Sequence, residues 1–394
     1  MEKEKSNTNN SLFGKTFSEL SQIVNELLLP AFTARQIADW LYKKNVSSID
    51  EMTNLSSKNR TQISKTYNIG ASEPLEFQKS KDGVKKYLFL VNEGKYIETV
   101  YIPETLTNPH HRGKPLPYPP HKGDLPLPSP HQRGGSNVSG RATLCISSQV
   151  GCRMGCAFCM TARQGYQSNL TANEILNQFR SLPEHNNLSN IVFMGMGEPF
   201  DNKNELMKCL EILTSDWGYA WAPKRITVST IGILPAIRNF MDKSRCHLAV
   251  SLHHPDSAER QKLVPAENKY PIKQIVDTLK TYDLNKQRRI SFEYVMLAGV
   301  NDSLQQANDT VRLLSGLKCR VNLIGYNNPS DKTQLTPLRG GSGRSLFKPS
   351  GEQVIQQFAD TLNRKGIITT IRRSRGIDIE AACGMLSTNK IKKQ

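Results

Sequence analysis

The stretch RATLCISSQVGCRMGCAFC, residues 141–159, joins a predicted strand at 142–147 to a loop with three closely spaced cysteines. These are Cys152, Cys156 and Cys159. Thiolates at this spacing can wrap around one iron–sulfur cluster, and three of them leave one iron of a four-iron cluster open to another ligand. A structural zinc site is the alternative, and it would need a fourth cysteine or histidine close by.

Beyond this loop, the chain alternates predicted strands with predicted helices. Strands are predicted at 142–147, 191–196, 225–230, 247–252, 290–297 and 320–324. Helices are predicted near 171–182, 203–215, 232–242, 271–282 and 303–316, and a last helix near 351–364 precedes a strand at 367–371. This alternation favours a parallel sheet or barrel with its site at the carboxyl ends of the strands. Because six units are too few to close an eight-stranded barrel, we predict an α/β fold with an open partial (β/α)6 barrel.

The remaining segments are predicted to be accessory. Residues 1–70 space their apolar side chains as helices do, which predicts a small N-terminal helical domain that either contacts RNA or only caps the barrel. The sequence pattern of residues 71–104 predicts a β-extension, in which Asp82-Gly83 forms a hairpin turn. The other predicted segments are an exposed, proline- and histidine-rich insertion at 105–140, the barrel at 141–336, a loop insertion at 337–349, and a C-terminal helix, strand and cysteine loop at 350–394.

Composition and charge narrow the function classes. Lys and Arg number 52 against 35 Asp and Glu, a net charge of +17 that favours a polyanionic partner such as nucleic acid. The sequence has no apolar run long enough for a transmembrane helix, and its start lacks the apolar core of a secretory signal. We therefore expect a cytoplasmic protein with no membrane association. In that reducing compartment, cysteines are more often metal ligands or catalytic groups than disulfides.

Further motifs surround the cysteine loop. The sequence GMGEP, residues 195–199, lies at the end of the second predicted strand, SLH at 251–253 lies at the end of the fourth, and GIDIEAACG at 376–384 lies near the C-terminus. Together with the cysteine loop, GMGEP resembles an element of radical S-adenosylmethionine (SAM) enzymes. The sequences around Cys145 and Cys383 narrow this resemblance to the RlmN/Cfr group of RNA adenine methyltransferases, over nearly the whole chain outside the two insertions.

The resemblance implies two cofactors and the residues that bind them. The three loop cysteines, Cys152, Cys156 and Cys159, would hold a [4Fe-4S] cluster whose fourth iron binds the amino and carboxylate groups of SAM. Glycine permits close backbone approach and glutamate accepts hydrogen bonds from an ammonium group, which suits the Gly-Glu pair of GMGEP. The residues implied to contact SAM are Gly197, Glu198, Ser229, Ser251, Leu252, His253 and Asn327. Two SAM molecules would be used per turnover.

The resemblance also implies a cysteine that carries the methyl group. A SAM methyl group is electrophilic, so the nucleophilic thiolate of Cys383 can be methylated by displacement, whereas the adenine ring carbon cannot. A deoxyadenosyl radical made from a second SAM would then activate the carried methyl group for addition to adenine. Glu98 would remove the ring proton, and Cys145 would attack the carrier sulfur to release the product. The resulting Cys145–Cys383 disulfide would be reduced before the next turnover.

The implied function is methylation of carbon 2 of adenosine in 23S ribosomal RNA and in transfer RNA. A Cfr-like enzyme acting on carbon 8 shares these motifs. A non-catalytic iron–sulfur RNA-binding sensor would need the cluster cysteines alone, so the joint presence of Glu98, Cys145 and Cys383 counts against it. We expect a monomer that takes electrons from a flavodoxin-like reductant. Candidates for phosphate contacts, with a solvated charge run as the alternative, are Arg372, Arg373 and Arg375.

Overall fold

The computed structural model describes residues 10–91, 94–104, 141–284, 289–328 and 347–388. The predicted insertion at 105–140 lies outside the described residues, as does most of the one at 337–349. Within the described ranges, no helix is long and apolar enough to span a membrane.

A ten-stranded mixed sheet organises the molecule. Its strands are β1 (Glu76–Lys79), β2 (Lys85–Val91), β3 (Lys95–Pro103), β4 (Ala142–Cys145), β7 (Leu188–Phe193), β8 (Ile226–Thr230), β9 (His247–Ser251), β10 (Ile290–Met296), β11 (Arg320–Gly325) and β12 (Ile368–Arg372), in that spatial order. Neighbours from β1 to β4 are antiparallel, and neighbours from β4 to β12 are parallel. Two short strands, β5 (Gln149–Val150) and β6 (Ser168–Asn169), pair separately.

Helices connect the parallel strands and cover the outside of the curved sheet. The helices are α1 (Phe17–Glu26), α2 (Thr33–Tyr42), α3 (Ser57–Ser64), α4 (Met160–Gln164), α5 (Ala172–Arg180), α6 (Lys203–Thr214), α7 (Leu234–Lys243), α8 (Ser257–Leu263), α9 (Ile272–Lys280), α10 (Leu304–Leu314) and α11 (Glu352–Arg364). In α9, for example, Ile272, Ile275, Val276 and Leu279 recur at helical spacing and are buried. The apolar stripes of the connecting helices thus build the outer layer of the core.

The predicted α/β fold with an open partial (β/α)6 barrel, an N-terminal helical domain and a β-hairpin extension is confirmed. The six predicted strands correspond to β4 and β7 through β11, and the sheet stays open between β1 and β12. The strand predicted at 367–371 is β12, which pairs with β11 as a seventh parallel strand. The sequence does not predict the helices α4 and α8, because five and seven residues are too few to show a helical apolar stripe. The segment boundaries themselves stay predictions.

The N-terminal helices pack directly against the barrel. Helix α1 begins with a capping box in which Thr16 and Glu19 bond each other's backbone. The ring of Tyr42 contacts those of Trp217 and Tyr219, and Lys208 of α6 bonds Glu19 at 2.7 Å. The helical domain is therefore a cap on the barrel, and its contact with RNA stays a prediction.

The chain after β12 crosses back to the β-hairpin at the opposite edge of the sheet. Asp82, in the hairpin turn, bonds the backbone of Gly376 at 3.0 Å and forms an ion pair with Arg375. Beside this contact, the Ser80 hydroxyl donates a hydrogen bond to the Asp378 carboxylate. Since these contacts join the two edges of the open sheet, they place residues 376–388 across the mouth of the barrel.

Candidate active site

A cavity of about 960 Å³, including the part open to solvent, lies at the carboxyl ends of the parallel strands. Its volume falls in the range of pockets that bind small molecules. The predicted site residues on its wall are Cys152, Cys156, Cys159, Gly197, Glu198, Ser229, Ser251, His253 and Cys383. The fold thus brings together side chains from the cysteine loop, the ends of several strands and the C-terminal segment.

The cysteine loop is held in a tight turn next to the cavity. Gly151 has a φ of +72°, and a Cβ there would lie 1.7 Å from the carbonyl oxygen of Gly165, so only glycine fits. Cys152 and Cys156 are buried, Cys159 is half-buried, and all three are free thiols. Burial raises the pKa of Cys152 to about 12, so iron binding would release a proton from this thiol.

The donor set fits a four-iron cluster. In a four-iron cluster each cysteine binds a different iron atom, so the three sulfurs need only surround a common cavity. This is how Cys152, Cys156 and Cys159 are arranged.

The GMGEP motif forms a rigid turn after β7. Gly197 has a φ of +95°, and a Cβ there would approach Gln149 to 2.5 Å. The Glu198 carboxylate accepts backbone hydrogen bonds from Phe200 at 3.0 Å and Ile231 at 2.9 Å, one on each oxygen. Burial raises its pKa to about 7. The turn therefore fixes this acidic side chain at the cavity wall, where an ammonium group would stabilise its charge.

His253 is held as a neutral imidazole. Its Nδ1 accepts a hydrogen bond from the backbone N–H of Val295 at 3.1 Å, which places the ring proton on Nε2. Burial and the nearby charge of Arg260 lower the pKa of His253 to about 3. Its backbone is left-handed, with a φ of +56°, and Phe158 contacts the ring edge to face at 4.6 Å between centroids. His253 thus offers the cavity a fixed, uncharged donor.

A buried arginine supports this wall from behind. Arg260 of α8 has no exposed surface and forms an ion pair with Glu267. Its guanidinium donates to the carbonyl oxygens of Ile231 at 2.8 Å, Ser251 at 2.6 Å and Leu252 at 2.9 Å. Leu252 is itself fully buried and does not line the cavity, so its part in the site is this backbone contact.

The C-terminal segment carries Cys383 into the cavity. Its Gly384 carbonyl accepts a hydrogen bond from the backbone of Met160 at 2.8 Å, and its Leu386 carbonyl accepts one from Thr161 at 2.7 Å. These bonds dock the segment onto α4, the helix that starts directly after Cys159. Cys383 is exposed to the cavity. Enclosure raises the pKa of its thiol, against the opposing charge of Arg372.

Cys145 and Cys383 lie within electrostatic range of each other. Cys145 is buried at the end of β4 and does not line the main cavity. Burial raises the pKa of its thiol, and a charge on Cys383 raises it further. Both thiols are free.

Glu98 lies in a second, neighbouring cavity, which also contains Lys86 and Ser387. Its two carboxylate oxygens accept hydrogen bonds from the Lys86 ammonium at 2.8 Å and the Ser387 backbone at 3.0 Å. Burial raises the pKa of Glu98, and Lys86 opposes this effect. Glu98 therefore does not line the main cavity. Through Ser387 it contacts the C-terminal segment that carries Cys383.

Two other predicted residues have partners outside the cavity. Asn327 donates to Ser374 at 2.9 Å and does not line the cavity. Arg375 is bound to Asp82 of the hairpin turn, and its contact with phosphate stays a prediction. Arg372 and Arg373 are exposed, as a phosphate contact requires.

The sequence interpretation missed three charged residues of the site. Lys86 and Arg260 act through partners distant in sequence, and no local pattern marks them. Glu293 did have a signal, since it is the one carboxylate in the otherwise uncharged strand ISFEYVM, residues 290–296. A charge at such a position is rarely tolerated without a partner or a function.

Two family models match the chain. Residues 146–314 match the radical SAM superfamily, and residues 10–69 match the ribosomal RNA large subunit methyltransferase N-terminal domain. Radical SAM enzymes of this kind use a [4Fe-4S] cluster and SAM, which confirms the predicted cofactors.

Full-length relatives extend the match to nearly the whole chain. A probable dual-specificity RNA methyltransferase RlmN from Parabacteroides distasonis is 47% identical, over 96% of this chain and 97% of its own length. The dual-specificity RNA methyltransferase RlmN of Campylobacter hominis is 37% identical, over 94% and 96%. The crystal structure of a radical SAM methyltransferase from Sphaerobacter thermophilus superposes with a TM-score of 0.76 at 34% identity, covering 95% of this chain and 98% of that one. The chain belongs to the RlmN family of dual-specificity RNA methyltransferases within the radical SAM superfamily.

Proposed function

We propose that this enzyme methylates carbon 2 of adenosine in 23S ribosomal RNA and in transfer RNA, using Cys383 as methyl carrier. One observation carries the proposal: Cys383 lies on the wall of the same cavity as Cys152, Cys156 and Cys159. A cysteine placed there can receive a methyl group and then present it where the cluster acts. We further propose that the enzyme works as a monomer in the cytoplasm.

The three loop cysteines would hold the cluster, and the wall from Gly197 to His253 would bind SAM. When bound, the cluster and SAM together supply an electrophilic methyl group and, after one-electron reduction, a radical that abstracts hydrogen. Glu198 would accept the SAM ammonium, and the Nε2 proton of His253 would be available to an acceptor on SAM. Ser229 and Ser251 present hydroxyl groups from the ends of β8 and β9.

Two residues would release the product from Cys383. Cys145 lies within electrostatic range of Cys383, so it would attack the carrier sulfur and form a Cys145–Cys383 disulfide. Glu98 would take the ring proton before this step. Since Glu98 is bound through Ser387 to the segment that carries Cys383, a shift of this segment would bring base and carrier together.

RNA would approach the mouth of the barrel, where Arg372 and Arg373 are exposed beside the C-terminal segment. The net charge of +17 favours this polyanionic substrate. Electrons for the cluster would come from a flavodoxin-like reductant.

The test is an anaerobic assay with reconstituted iron–sulfur cluster, SAM, reductant and unmodified ribosomal or transfer RNA. Mass spectrometry and chromatography identify the product nucleoside. We expect 2-methyladenosine from both RNAs. A product of 8-methyladenosine would overturn the assignment to carbon 2 in favour of carbon 8, and absence of any methylated adenosine would overturn the proposal.

Variants of the two thiols test their roles separately. Cys383→Ala should abolish methylation of RNA, because the variant lacks the thiol that would carry the methyl group. Cys145→Ala should accumulate a covalent protein–RNA adduct, visible as a protease-sensitive shift of the RNA on a denaturing gel. Cys319→Ala is the matched control, because Cys319 precedes the amino end of β11, at the opposite end of the barrel. Methylated RNA released freely by Cys145→Ala would contradict its role.

A further inference from the structure

A buried carboxylate in the main cavity has one oxygen with no hydrogen-bond partner. Glu293 is 4% exposed and lies on β10, a strand buried along its whole length. Its Oε1 accepts hydrogen bonds from Ser291 at 3.0 Å and Asn322 at 2.7 Å, and Asn322 is held in turn by Thr370. Its Oε2 is buried and unpartnered within the described structure. A buried acceptor left without a partner is costly, so this oxygen calls for a functional explanation.

Glu293 and Cys383 face the same cavity. They are also close enough for the charge of one to act on the other, since Glu293 contributes to the raised pKa of the Cys383 thiol. If Cys383 carries the methyl group, its thiol must lose a proton when the sulfur takes up the methyl group. Enclosure disfavours a free thiolate, so this step calls for a proton acceptor inside the cavity.

The other ionisable groups on the cavity wall are already engaged. Both oxygens of Glu198 accept backbone hydrogen bonds, and in the proposed function this carboxylate also binds the SAM ammonium. The acceptor nitrogen of His253 is bound to the Val295 N–H. The three loop cysteines would be bound to iron, and a phenol such as Tyr326 is a poor base. Among the described residues of the wall, Glu293 therefore offers the available carboxylate oxygen.

We propose that Glu293 Oε2 accepts the proton of Cys383, directly or through one water molecule, as the thiol is methylated. The sulfur lone pair of Cys383 forms the new S–C bond, and the methyl–sulfonium bond breaks with its electron pair left on the sulfur of S-adenosylhomocysteine. The thiol proton moves to Glu293 and then to solvent, which restores the carboxylate. The step needs no oxidant or reductant. It rests on the proposed function, because it assumes that Cys383 is the methyl carrier.

The experiment measures this single step without reductant and without RNA. Cluster-loaded enzyme receives SAM with a deuterated methyl group, and peptide mass spectrometry follows the label on Cys383. We expect Glu293→Gln to slow labelling by about a hundredfold or more, the usual effect of losing a general base. Glu293→Asp keeps a carboxylate and should label at least about tenfold faster than Glu293→Gln. Glu184→Gln is the matched control, since Glu184 is bound to Lys85 and Tyr87 outside the cavity.

A second readout separates proton acceptance from simple displacement of the segment. Iodoacetamide alkylates Cys383 without SAM, and its rate reports whether the thiol is accessible and ionised. Glu293→Gln removes the proton acceptor, so alkylation at neutral pH should slow together with labelling, and alkaline buffer should recover both rates because hydroxide can then take the thiol proton. Alkylation that stays slow in alkaline buffer would show a displaced segment and would overturn the proposal, as would wild-type labelling in Glu293→Gln or equal labelling in the Gln and Asp variants. If the wild-type enzyme itself takes no label on Cys383, the proposed function fails first.

Discussion

The ammonium group of Lys86 lies 2.8 Å from one carboxylate oxygen of Glu98, and the two side chains form an ion pair that is nearly excluded from solvent. The other oxygen of Glu98 accepts the backbone N–H of Ser387, four residues after Cys383. The candidate base is therefore held between a cation on β2 and the segment that carries Cys383, the proposed methyl carrier. Its protonation state depends on both contacts.

Replacing Lys86 with methionine should impair Glu98 as a base. Burial already raises the pKa of Glu98, and Lys86 opposes that rise, so its removal lets the pKa rise further. A smaller fraction of Glu98 is then ionised at neutral pH. We expect the acid limb of the pH profile of RNA methylation to move to higher pH, with the lost activity partly recovered in alkaline buffer.

The neighbouring lysine provides the control for this experiment. Lys85→Met also removes a half-buried cation from β2, but Lys85 pairs with Glu184 rather than with Glu98. Both variants should lose stability, by about 3 kcal/mol or more at the nearly buried Lys86–Glu98 pair and by less at the half-buried Lys85–Glu184 pair. Only Lys86→Met should move the pH profile. An identical pH profile for wild type and Lys86→Met would show that this lysine does not tune the base.

The sequence predicted the barrel well because each barrel strand is an apolar run between helices with one apolar stripe. The family resemblance implied Glu198, Ser229, Ser251 and His253 as site residues. Their position at strand ends agrees with this, because strand ends meet at one edge of a parallel sheet. Strand direction alone does not select them from the other polar residues at that edge.

What could not be predicted depends on contacts between distant segments. The Lys86–Glu98 pair requires the register of β2 against β3, and the docking of Cys383 on α4 requires a contact over more than 200 residues of chain. Leu252 and Asn327 follow the expected strand ends, yet neither side chain reaches the cavity. Sequence position places a residue near the site, but the direction of its side chain depends on the loop geometry.

Replacing Arg260 with lysine should weaken SAM binding although the charge is kept. Lysine cannot reproduce the planar guanidinium that reaches Ile231, Ser251 and Leu252 together with Glu267. The cavity wall should therefore loosen, with at least about a tenfold rise in the SAM dissociation constant and about 2–3 kcal/mol less stability. Equilibrium dialysis with labelled SAM measures the first effect and urea unfolding the second. Lys262→Met, on the exposed face of α8, should change neither.

His253 should make folding stability fall in mild acid. Its pKa is lowered to about 3 in the folded protein, against an ordinary value near 6.5. As the pH falls below 6.5, the unfolded chain takes up a proton at this residue while the folded protein does not, so stability is lost until the pH approaches 3. Between pH 6.5 and pH 5 the loss should reach about 1.6 kcal/mol.

The variant His253→Asn should remove this part of the pH dependence. Asparagine tolerates the left-handed backbone at this position and does not titrate in the same range. Urea unfolding at pH 6.5 and pH 5 measures the difference for the variant and the wild type. Equal losses in both proteins would mean that His253 is protonated in the folded state and that its contact with Val295 does not hold it neutral.

Residues 105–140 should be dispensable for folding. Their flanking residues are adjacent, because Glu104 donates a backbone hydrogen bond to Arg141 at 2.7 Å and Pro103 pairs with Ala142 across the antiparallel strands β3 and β4. A short Asn-Gly turn can join antiparallel strands at such a point. Shortening the connection by roughly four halvings of its length should lower the entropy cost of closing it and stabilise the fold by up to about 2.4 kcal/mol.

The replacement is tested by thermal unfolding, by the iron content of the reconstituted protein and by methylation of RNA. We expect an equal or higher melting temperature, full cluster loading and retained activity. Retained loading with lost activity would instead show that the segment contacts the RNA. Loss of both would show that β3, and with it Glu98, depends on the segment for its place beside β4.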